Sequence, residues 1–551
     1  MPTLQFKGKN IIWNHHLSVP YHTLDEVAEL NFQPEKADGN LIIEGDNLIA
    51  LKALLPHYAG KVKCIYIDPP YNTGNEGWIY NDNVNSPLMK EWFGKEVGKD
   101  DLTRHDKWLC MMVPRLKLLR ELLADDGVIF ISIDDNEIHN LREICDEIFP
   151  NAFTTEFIWE KKKKPSFLKK SVGTRNDYIL CYIKNPDKAF PFSIGMTEKG
   201  KKIPINNAGN GISIIKFDEE TVIFDMDDQK ILPQDMSEGN IITRLLDEVI
   251  IENGVNKNCF RLEGEWRYGQ EMINKIIDNE EQITISKIPF RPNHIRDHID
   301  NKKMSNFLTR VHYKMETNED ATEQIRELFG KDVFKNPKPI KLLKTIIKCV
   351  TYNMYDPIIL DSFAGSGTTM HAVMELNKED GGRRQCILVQ MPEATPKEPD
   401  KNICQDITRE RVKRAIEKYG YDAGFRYLRV GIPIDAETLL SGELPTYRQF
   451  ADYVYYLCTG ESLKDKQAVD EKTYYVGKHG SAVIYLVYKQ NFEELTHLAL
   501  NLPLAEDIID RHPQKRLIIY APACFLEDDY MREKAIEFVG IPYNLFRRTG
   551  E

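Results

Sequence analysis

The chain has no apolar stretch near the ~20 residues needed to cross a bilayer. Its longest apolar runs, such as Val128-Ile-Phe-Ile-Ser-Ile133, are strand-sized. The start, Met1-Pro-Thr-Leu-Gln-Phe-Lys7, lacks the apolar core of a signal peptide. The ten cysteines are scattered singly, with no CxxC pair and none at zinc spacing with a histidine. Neither a disulfide framework nor a metal site is therefore expected. No internal repeat and no Walker A sequence is present, which argues against a solenoid and against a helicase or NTPase on this chain. Basic excess is also missing: the net charge of −12 excludes wholesale coating of nucleic acid, although local charge decides binding. These absences together predict a reduced, cytoplasmic protein with no membrane association.

What remains is ordinary globular material. A hydrophobic fraction of 42% and a charged fraction of 29% suit a soluble α/β protein, and 551 residues predict three or four domains. Strand and helix patterns alternate from residue 41 to 149. Leu41-Ile-Ile-Glu44 reads as a strand leading to a helix with Asp46 at its N-cap. Lys63-Cys-Ile-Tyr-Ile-Asp68 is a buried parallel strand ending in a carboxylate. Helices are predicted over 105–123 and 137–149, with a strand from Gly127 between them. The alternation breaks near Lys161 and resumes at Pro337. A helix then covers 340–352, a strand 358–361, a helix 368–377, a strand 385–390 and a charged helix 406–419. This predicts a Rossmann-like parallel sheet interrupted by a long insertion. The chain divides into an N-terminal extension (1–37), a first half-domain (38–160), the insertion (161–325), a second half-domain (326–430) and a small C-terminal α/β domain (431–551). In the last, strands are expected near 482–488 and 516–520, and helices over 491–500 and 529–539.

Asp68-Pro-Pro-Tyr71 stands at the carboxyl end of a buried strand, where α/β folds hold ligands. This tetrapeptide suits methylation of an exocyclic amine. The nitrogen lone pair of adenine N6 is delocalised into the ring. Two acceptors aimed at its two N–H bonds would localise that pair on nitrogen. Asp68 supplies one acceptor and the Pro69 carbonyl the other, with Pro69 and Pro70 stiffening the aim because their φ angles are fixed. Tyr71 offers a ring face to a flipped base. The bland alternative is a Pro-Pro turn capped by Asp68.

Asp361-Ser-Phe-Ala-Gly-Ser-Gly-Thr-Thr369 joins a strand to a helix. Glycines there permit positive φ and close approach of backbone to ligand. The loop lacks the Walker lysine and does not match GxGxxG, so phosphate and dinucleotide binding fit it poorly. The methionine part of S-adenosylmethionine fits better; an ordinary tight turn is the competing reading. The next strand ends at Gln390, with Glu393 just beyond, where a ribose-binding group is expected.

Taken together, the two motifs make the chain resemble the β-class amino-methyltransferases of DNA, in which DPPY precedes FxGxG with a target-recognition region between them. The resemblance implies cofactor contacts at Asp361, Phe363, Ala364, Gly365, Ser366, Gly367, Thr368 and Gln390. Glu44-Gly-Asp-Asn47 resembles the family's upstream motif, which implies that Asp46 and Asn47 bind the cofactor. Asn336-Pro-Lys-Pro339 resembles its KP motif, which adds Lys338 and Pro339. His105-Asp-Lys-Trp-Leu109, Asp126-Gly-Val-Ile-Phe-Ile-Ser-Ile-Asp-Asp-Asn136, Phe334-Lys-Asn-Pro-Lys-Pro339 and Thr408-Arg-Glu-Arg-Val412 are similar to the modification subunit of Type III restriction-modification systems. That implies adenine-N6 methylation of double-stranded DNA, a homodimer and a separate ATP-dependent restriction subunit. Gln390 departs from the family, whose ribose ligand is acidic. A solitary enzyme, a cytosine-N4 enzyme and an inactive specificity subunit remain open.

Lys161, Lys162, Lys163, Lys164, Lys169 and Lys170 lie where the catalytic half-domain gives way to the insertion. They are expected to hold DNA phosphates, against the alternative of a solvated loop. Arg291, His294 and Arg296 are base-reading candidates by residue type alone. His105 and the Asp134-Asp135 pair are expected to be scaffold.

Overall fold

The computed structural model describes residues 3–73, 104–165, 172–297, 299–393 and 400–541. They form two compact units. The larger comprises Met1–Phe190 and Ser305–Glu551, and the smaller Pro191–Met304.

Runs of β-branched and aromatic residues build a ten-stranded sheet in the larger unit. In chain order its strands are β1 (His22–Glu26), β2 (Leu41–Glu44), β3 (Val62–Ile67), β4 (Leu123–Ile133), β5 (Phe153–Glu160), β6 (Asn176–Ile183), β7 (Phe307–Leu308), β8 (Ile358–Asp361), β9 (Gln385–Gln390) and β10 (Arg426–Pro433). Their spatial order is β1-β10-β2-β9-β8-β3-β4-β6-β5-β7. The central strands from β10 to β4 are parallel, and β1, β5 and β6 introduce antiparallel pairings. All six residues of β3 are buried, as its unbroken apolar run requires. Helices α1 (Asn47–Tyr58), α2 (Arg104–Leu122), α3 (Ile138–Ile148), α4 (Asn318–Phe329), α5 (Ile340–Thr351), α6 (Thr368–Asp380) and α7 (Glu410–Tyr419) belong to the same unit.

Strand β3 continues in sequence to β4 on one side, and β8 continues to β9 on the other. Between β3 and β8 the winding therefore reverses, and a crevice opens at their carboxyl ends. The register pairs Ile359 with Cys64 and Leu360 with Ile65. Asp68 and the loop after Asp361 consequently emerge side by side.

Four expectations need revision. The insertion predicted over 161–325 is longer than the separate unit: β6 and α4 belong to the main sheet's unit. Strand β6 carries Ile179, Leu180 and Cys181, whose burial against β4 outweighs the change in local composition. At the other end, α8 (Tyr447–Thr459) and a four-stranded sheet pack within the larger unit rather than apart from it. That sheet comprises β11 (Tyr475–His479), β12 (Ala482–Leu486), β13 (Arg516–Ala521) and β14 (Ile536–Gly540). Tyr453 of α8 stacks on Tyr21, and Tyr456 donates to Glu121. The helix predicted over 529–539 ends at Glu533, Ala535 takes positive φ, and the Ile-Glu-Phe-Val-Gly run becomes β14, parallel to β13. The helix predicted over 491–500 covers only Phe492–Thr496.

The smaller unit is built of short strands and one helix, Gln270–Asp278, around Phe217, Phe224, Phe260 and Phe290. His294 is buried against Glu281 at 2.5 Å, and Arg291 donates to the carbonyls of Phe290 and Met236. Arg296 faces Asp300 at 3.5 Å. These base-reading candidates are engaged inside the unit. Among the described residues, no helix is long and apolar enough to cross a membrane, and no cluster could hold a metal ion.

Glu44, at the end of β2, ties the sheet together. Its carboxylate accepts from the Tyr427 hydroxyl at 2.5 Å, from Asn402 at 3.0 Å and from Arg429 at 2.9 Å. Burial pushes its pKa up, but these three donors prevail and hold it below the ordinary carboxylate range. A depressed acid stabilises the fold above its unfolded pKa and loses that contribution as pH falls through the folded value. Glu44→Gln is expected to destabilise the protein by about 1–3 kcal/mol at neutral pH. Thermal melts should show the difference shrinking below the ordinary carboxylate range; a pH-independent difference would refute this account.

Candidate active site

The crevice at the β3–β8 seam holds a cavity of about 590 Å³. Asp68, Pro69, Pro70 and Tyr71 line one wall; Phe363, Ala364, Gly365, Ser366 and Thr368 line another. Both motifs singled out from the sequence meet here.

Asp68 is held from across the cavity. Lys338, 270 positions further along the chain, donates from Nζ to Asp68 Oδ2 at 2.5 Å. The other oxygen, Oδ1, is buried and accepts no hydrogen bond among the described residues. The carboxylate thus has one oxygen fixed and one available to a ligand. Lys338 Nζ also lies 5.2 Å from the centre of the Tyr71 ring, within cation–π range. The Tyr71 hydroxyl is buried beside Asp68, and burial together with the Asp68 charge raises its pKa well above the usual phenol value. Trp108 of α2 donates from its indole to the Pro70 carbonyl at 2.7 Å. With Pro70 so engaged, the Pro69 carbonyl is the tetrapeptide's remaining proline acceptor.

The chain turns sharply after the tetrapeptide. Asn72 adopts φ of 57° and donates from its side chain to Glu137. Glu137 is fully buried and is also held by His105 at 2.6 Å and Asn140 at 2.8 Å. Burial raises the Glu137 pKa, against the pull of its donors. His105 therefore braces the turn that presents Tyr71. Asp134 lines the cavity while its carboxylate accepts from Asn136.

The glycine loop is shaped from within. Asp361 is buried, its Oδ1 accepts from Phe363 N–H at 3.0 Å and its Oδ2 from the Thr369 hydroxyl. Burial pushes its pKa up to about 7. Gly365 and Gly367 have φ of 52° and 78°. A Cβ on Gly367 would lie 2.9 Å from the Thr408 carbonyl, and one on Gly365 would lie 3.1 Å from the Phe334 ring. Gln390 Oε1 accepts from Gly365 N–H at 2.7 Å, and its amide nitrogen reaches Met391 O and Glu393, each at 3.1 Å. Gln390 thus braces the loop with both ends. Glu393 also lines the cavity, and burial raises its pKa. Pro339 stands before α5, and the Thr368 hydroxyl donates to the Lys338 carbonyl at 3.1 Å.

Four expected cofactor residues, Asp46, Asn47, Pro339 and Gly367, are not among the residues lining this cavity. Asp46 caps α1 through Leu48 N–H at 2.8 Å and lies 3.4 Å from Arg115. Asn47 is buried, bonded to the Ser362 carbonyl at 2.9 Å and to Arg115 at 2.5 Å. The lysine run divides. Lys161 pairs with buried Asp177, whose pKa burial raises, and Lys163 pairs with Asp320 at 2.5 Å. Lys162 lines the cavity and Lys164 is exposed. Lys169 and Lys170 lie outside the described residues. Sequence reasoning assigns no chemistry to Trp108, Glu137, Asp177, Thr408 or Arg411. Residues 105–109 and 408–412 stand out in the sequence only as family-like strings.

The chain is similar to known proteins over the residues that build this site. The family model described as DNA methylase matches residues 62–418, from β3 through α7. The StyLTI Mod subunit of a Type III restriction-modification enzyme, from Salmonella typhimurium, is 34% identical over 439 residues, covering 74% of this chain and 63% of that protein. The EcoP15I Mod subunit of Escherichia coli is 30% identical over 452 residues, covering 74% of this chain and 68% of that protein. The EcoPI Mod subunit of Escherichia phage P1 is 31% identical, covering 72% and 66%. The chain thus spans less than two thirds of the StyLTI subunit. Among solved structures, the cytosine-N4-specific PvuII DNA methyltransferase aligns with 72% of this chain and 98% of its own at a TM-score of 0.32 and 13% identity. Because the family match takes in both motifs and the seam between them, the chain belongs to the DNA methylase family and groups within it with Type III Mod subunits.

Proposed function

We propose that this protein transfers a methyl group from S-adenosylmethionine to adenine N6 in double-stranded DNA, as the modification subunit of a Type III restriction-modification system. The observation that carries the reading is the shared cavity. It joins a carboxylate oxygen with no partner among the described residues to a positive-φ glycine loop across adjacent parallel strands.

The residues present fit the cofactor. A side chain at Gly365 would crowd Phe334 on the cavity wall, Gln390 and Thr408 hold the loop backbone in place, and Phe363, Ser366 and Glu393 line the wall. S-adenosylmethionine supplies an electrophilic methyl group on a sulfonium. Everything else is orientation and electrostatics by the chain. Asp68 Oδ1 accepts one N–H of the target amine and the Pro69 carbonyl the other. The nitrogen lone pair is thereby turned out of the ring toward the methyl carbon. Lys338 keeps Asp68 aimed through Oδ2, and Tyr71 offers its face to the flipped base. The proposal extends to the assembly: two copies of the chain act together and recruit a separate ATP-dependent restriction subunit. Lys162 and Lys164 hold DNA phosphates.

Asp68→Ala should abolish methyl transfer while S-adenosylhomocysteine still binds. The expected loss is several powers of ten in rate, each worth about 1.4 kcal/mol. Nucleoside mass spectrometry of methylated DNA checks this and separates N6-methyladenine from N4-methylcytosine; near-normal turnover by the variant overturns the role of Asp68.

The lysine run yields a second expectation. Lys162 and Lys164 make no ion pair among the described residues, whereas Lys161 and Lys163 are already paired. Lys162→Ala combined with Lys164→Ala should flatten the plot of log affinity for DNA against log salt, by about 0.9 for each phosphate that the variant no longer neutralises. An unchanged slope would identify the run as a solvated loop.

A further inference from the structure

Arg411 is a fully buried cation without a carboxylate. It lies on α7, its side chain is inaccessible to solvent, and no acidic residue pairs with it among the described residues. One nitrogen, Nη1, donates to Ser366 Oγ at 2.8 Å and to Thr368 Oγ1 at 2.5 Å. Nε and Nη2 are buried with no hydrogen-bond partner among the described residues. Burial draws its pKa down to about 9. Close by, His371 of α6 is buried with both ring nitrogens likewise unpaired, and burial and the Arg411 charge lower its pKa well below the usual value. A guanidinium placed in an apolar interior without a counter-charge is costly, and removing it would leave the loop hydroxyls short of a donor.

The hydroxyls it touches are not passive. A hydroxyl has one proton and two lone pairs. Arg411 fills a lone pair on each, so their own protons are directed elsewhere. Thr368 donates to the carbonyl of Lys338 at 3.1 Å. Lys338 in turn holds Asp68 at 2.5 Å. Ser366, which lines the cavity, keeps its proton for Thr368 at 3.2 Å or for a ligand. One turn earlier on the same helical segment, Thr408 donates to the Gly365 carbonyl at 2.6 Å, and its own carbonyl closes over Gly367. That segment, Cys404–Arg409, is π-helical, a rare geometry that often marks functional positions.

The geometry points to Arg411 as a positioning residue that serves both halves of the site, an inference resting on the methyltransferase reading above. Its uncompensated positive charge stands behind the glycine loop and favours the carboxylate of the cofactor's amino-acid end. Its hydrogen bond to Thr368 leads on to the Lys338 carbonyl and so to Asp68. The helix after the cofactor half-domain thereby links cofactor seating to the aim of the catalytic carboxylate.

Calorimetry on the full chain tests this with two probes. S-adenosylhomocysteine carries the amino-acid carboxylate; 5′-methylthioadenosine does not. Arg411→Met should weaken S-adenosylhomocysteine binding tenfold or more and leave 5′-methylthioadenosine within about twofold, as loss of a charge-assisted interaction predicts. Arg411→Lys should recover part of the loss. Thr368→Val should weaken S-adenosylhomocysteine and lower kcat at saturating cofactor, and its effect should not add to that of Arg411→Met. Arg384→Met removes another buried arginine, one paired with Asp380 away from the loop. It should lower the melting temperature without selective loss of either probe. Equal affinity for S-adenosylhomocysteine in folded Arg411→Met, or equal losses for both probes, overturns the inference while leaving the methyltransferase reading intact. No binding by the unsubstituted protein overturns both. If Arg411→Met does not fold, Thr368→Val decides the link to Lys338: unchanged kcat in that variant refutes it.

Discussion

Strands β3 and β8 run side by side in parallel, and the cavity exists because of that pairing. Parallel neighbours present their carboxyl ends at the same edge of the sheet, and the winding reverses between these two. The connections leaving them run to opposite sides, so a crevice is left at the seam. Asp68 ends one strand and Asp361 ends the other. Every later feature of the site is a way of holding the two loops that leave this edge.

The holding is done mostly by buried polar groups rather than by apolar packing. Asp361 folds its own loop through Phe363 and Thr369. Gln390 and Thr408 grip Gly365 from opposite sides, one at its N–H and one at its carbonyl. Glu137 grips Asn72, and Trp108 grips the carbonyl of Pro70. Such networks are costly unless satisfied, and once satisfied they allow few arrangements. The atom left unsatisfied at the seam is informative for the same reason. Asp68 Oδ1 is buried and accepts no hydrogen bond among the described residues, and Asp68 lines the cavity.

Lys338 joins the halves. Its ammonium holds the carboxylate of one motif, and its carbonyl is held by a hydroxyl of the other. Its position before α5 fixes both ends of that link. A lysine in such a place has a geometric task as well as a charge, and an arginine would not reproduce it.

The sequence alone determined the local pieces. The buried strands before Asp68 and Asp361, the glycine loop and the helix over 340–351 follow from periodicity, turn chemistry and residue type, which act over a few positions. Those rules also singled out the two motifs that meet at the cavity. They fell short where tertiary contact overrides local preference. Strand β6 joins the main sheet because β4 offers an apolar partner, and β14 forms because β13 does. Asp46 and Asn47 look like ligands in a string of letters but are taken up by a helix cap, Arg115 and the Ser362 carbonyl. Two lysines of the basic run are neutralised by Asp177 and Asp320, the second 157 positions away from its partner. Arg411 carries no signal in sequence, because its significance is that it is buried, has no carboxylate partner among the described residues and touches two hydroxyls of a distant loop. Burial and the choice of partner belong to the assembled chain, and only the tertiary structure decided them.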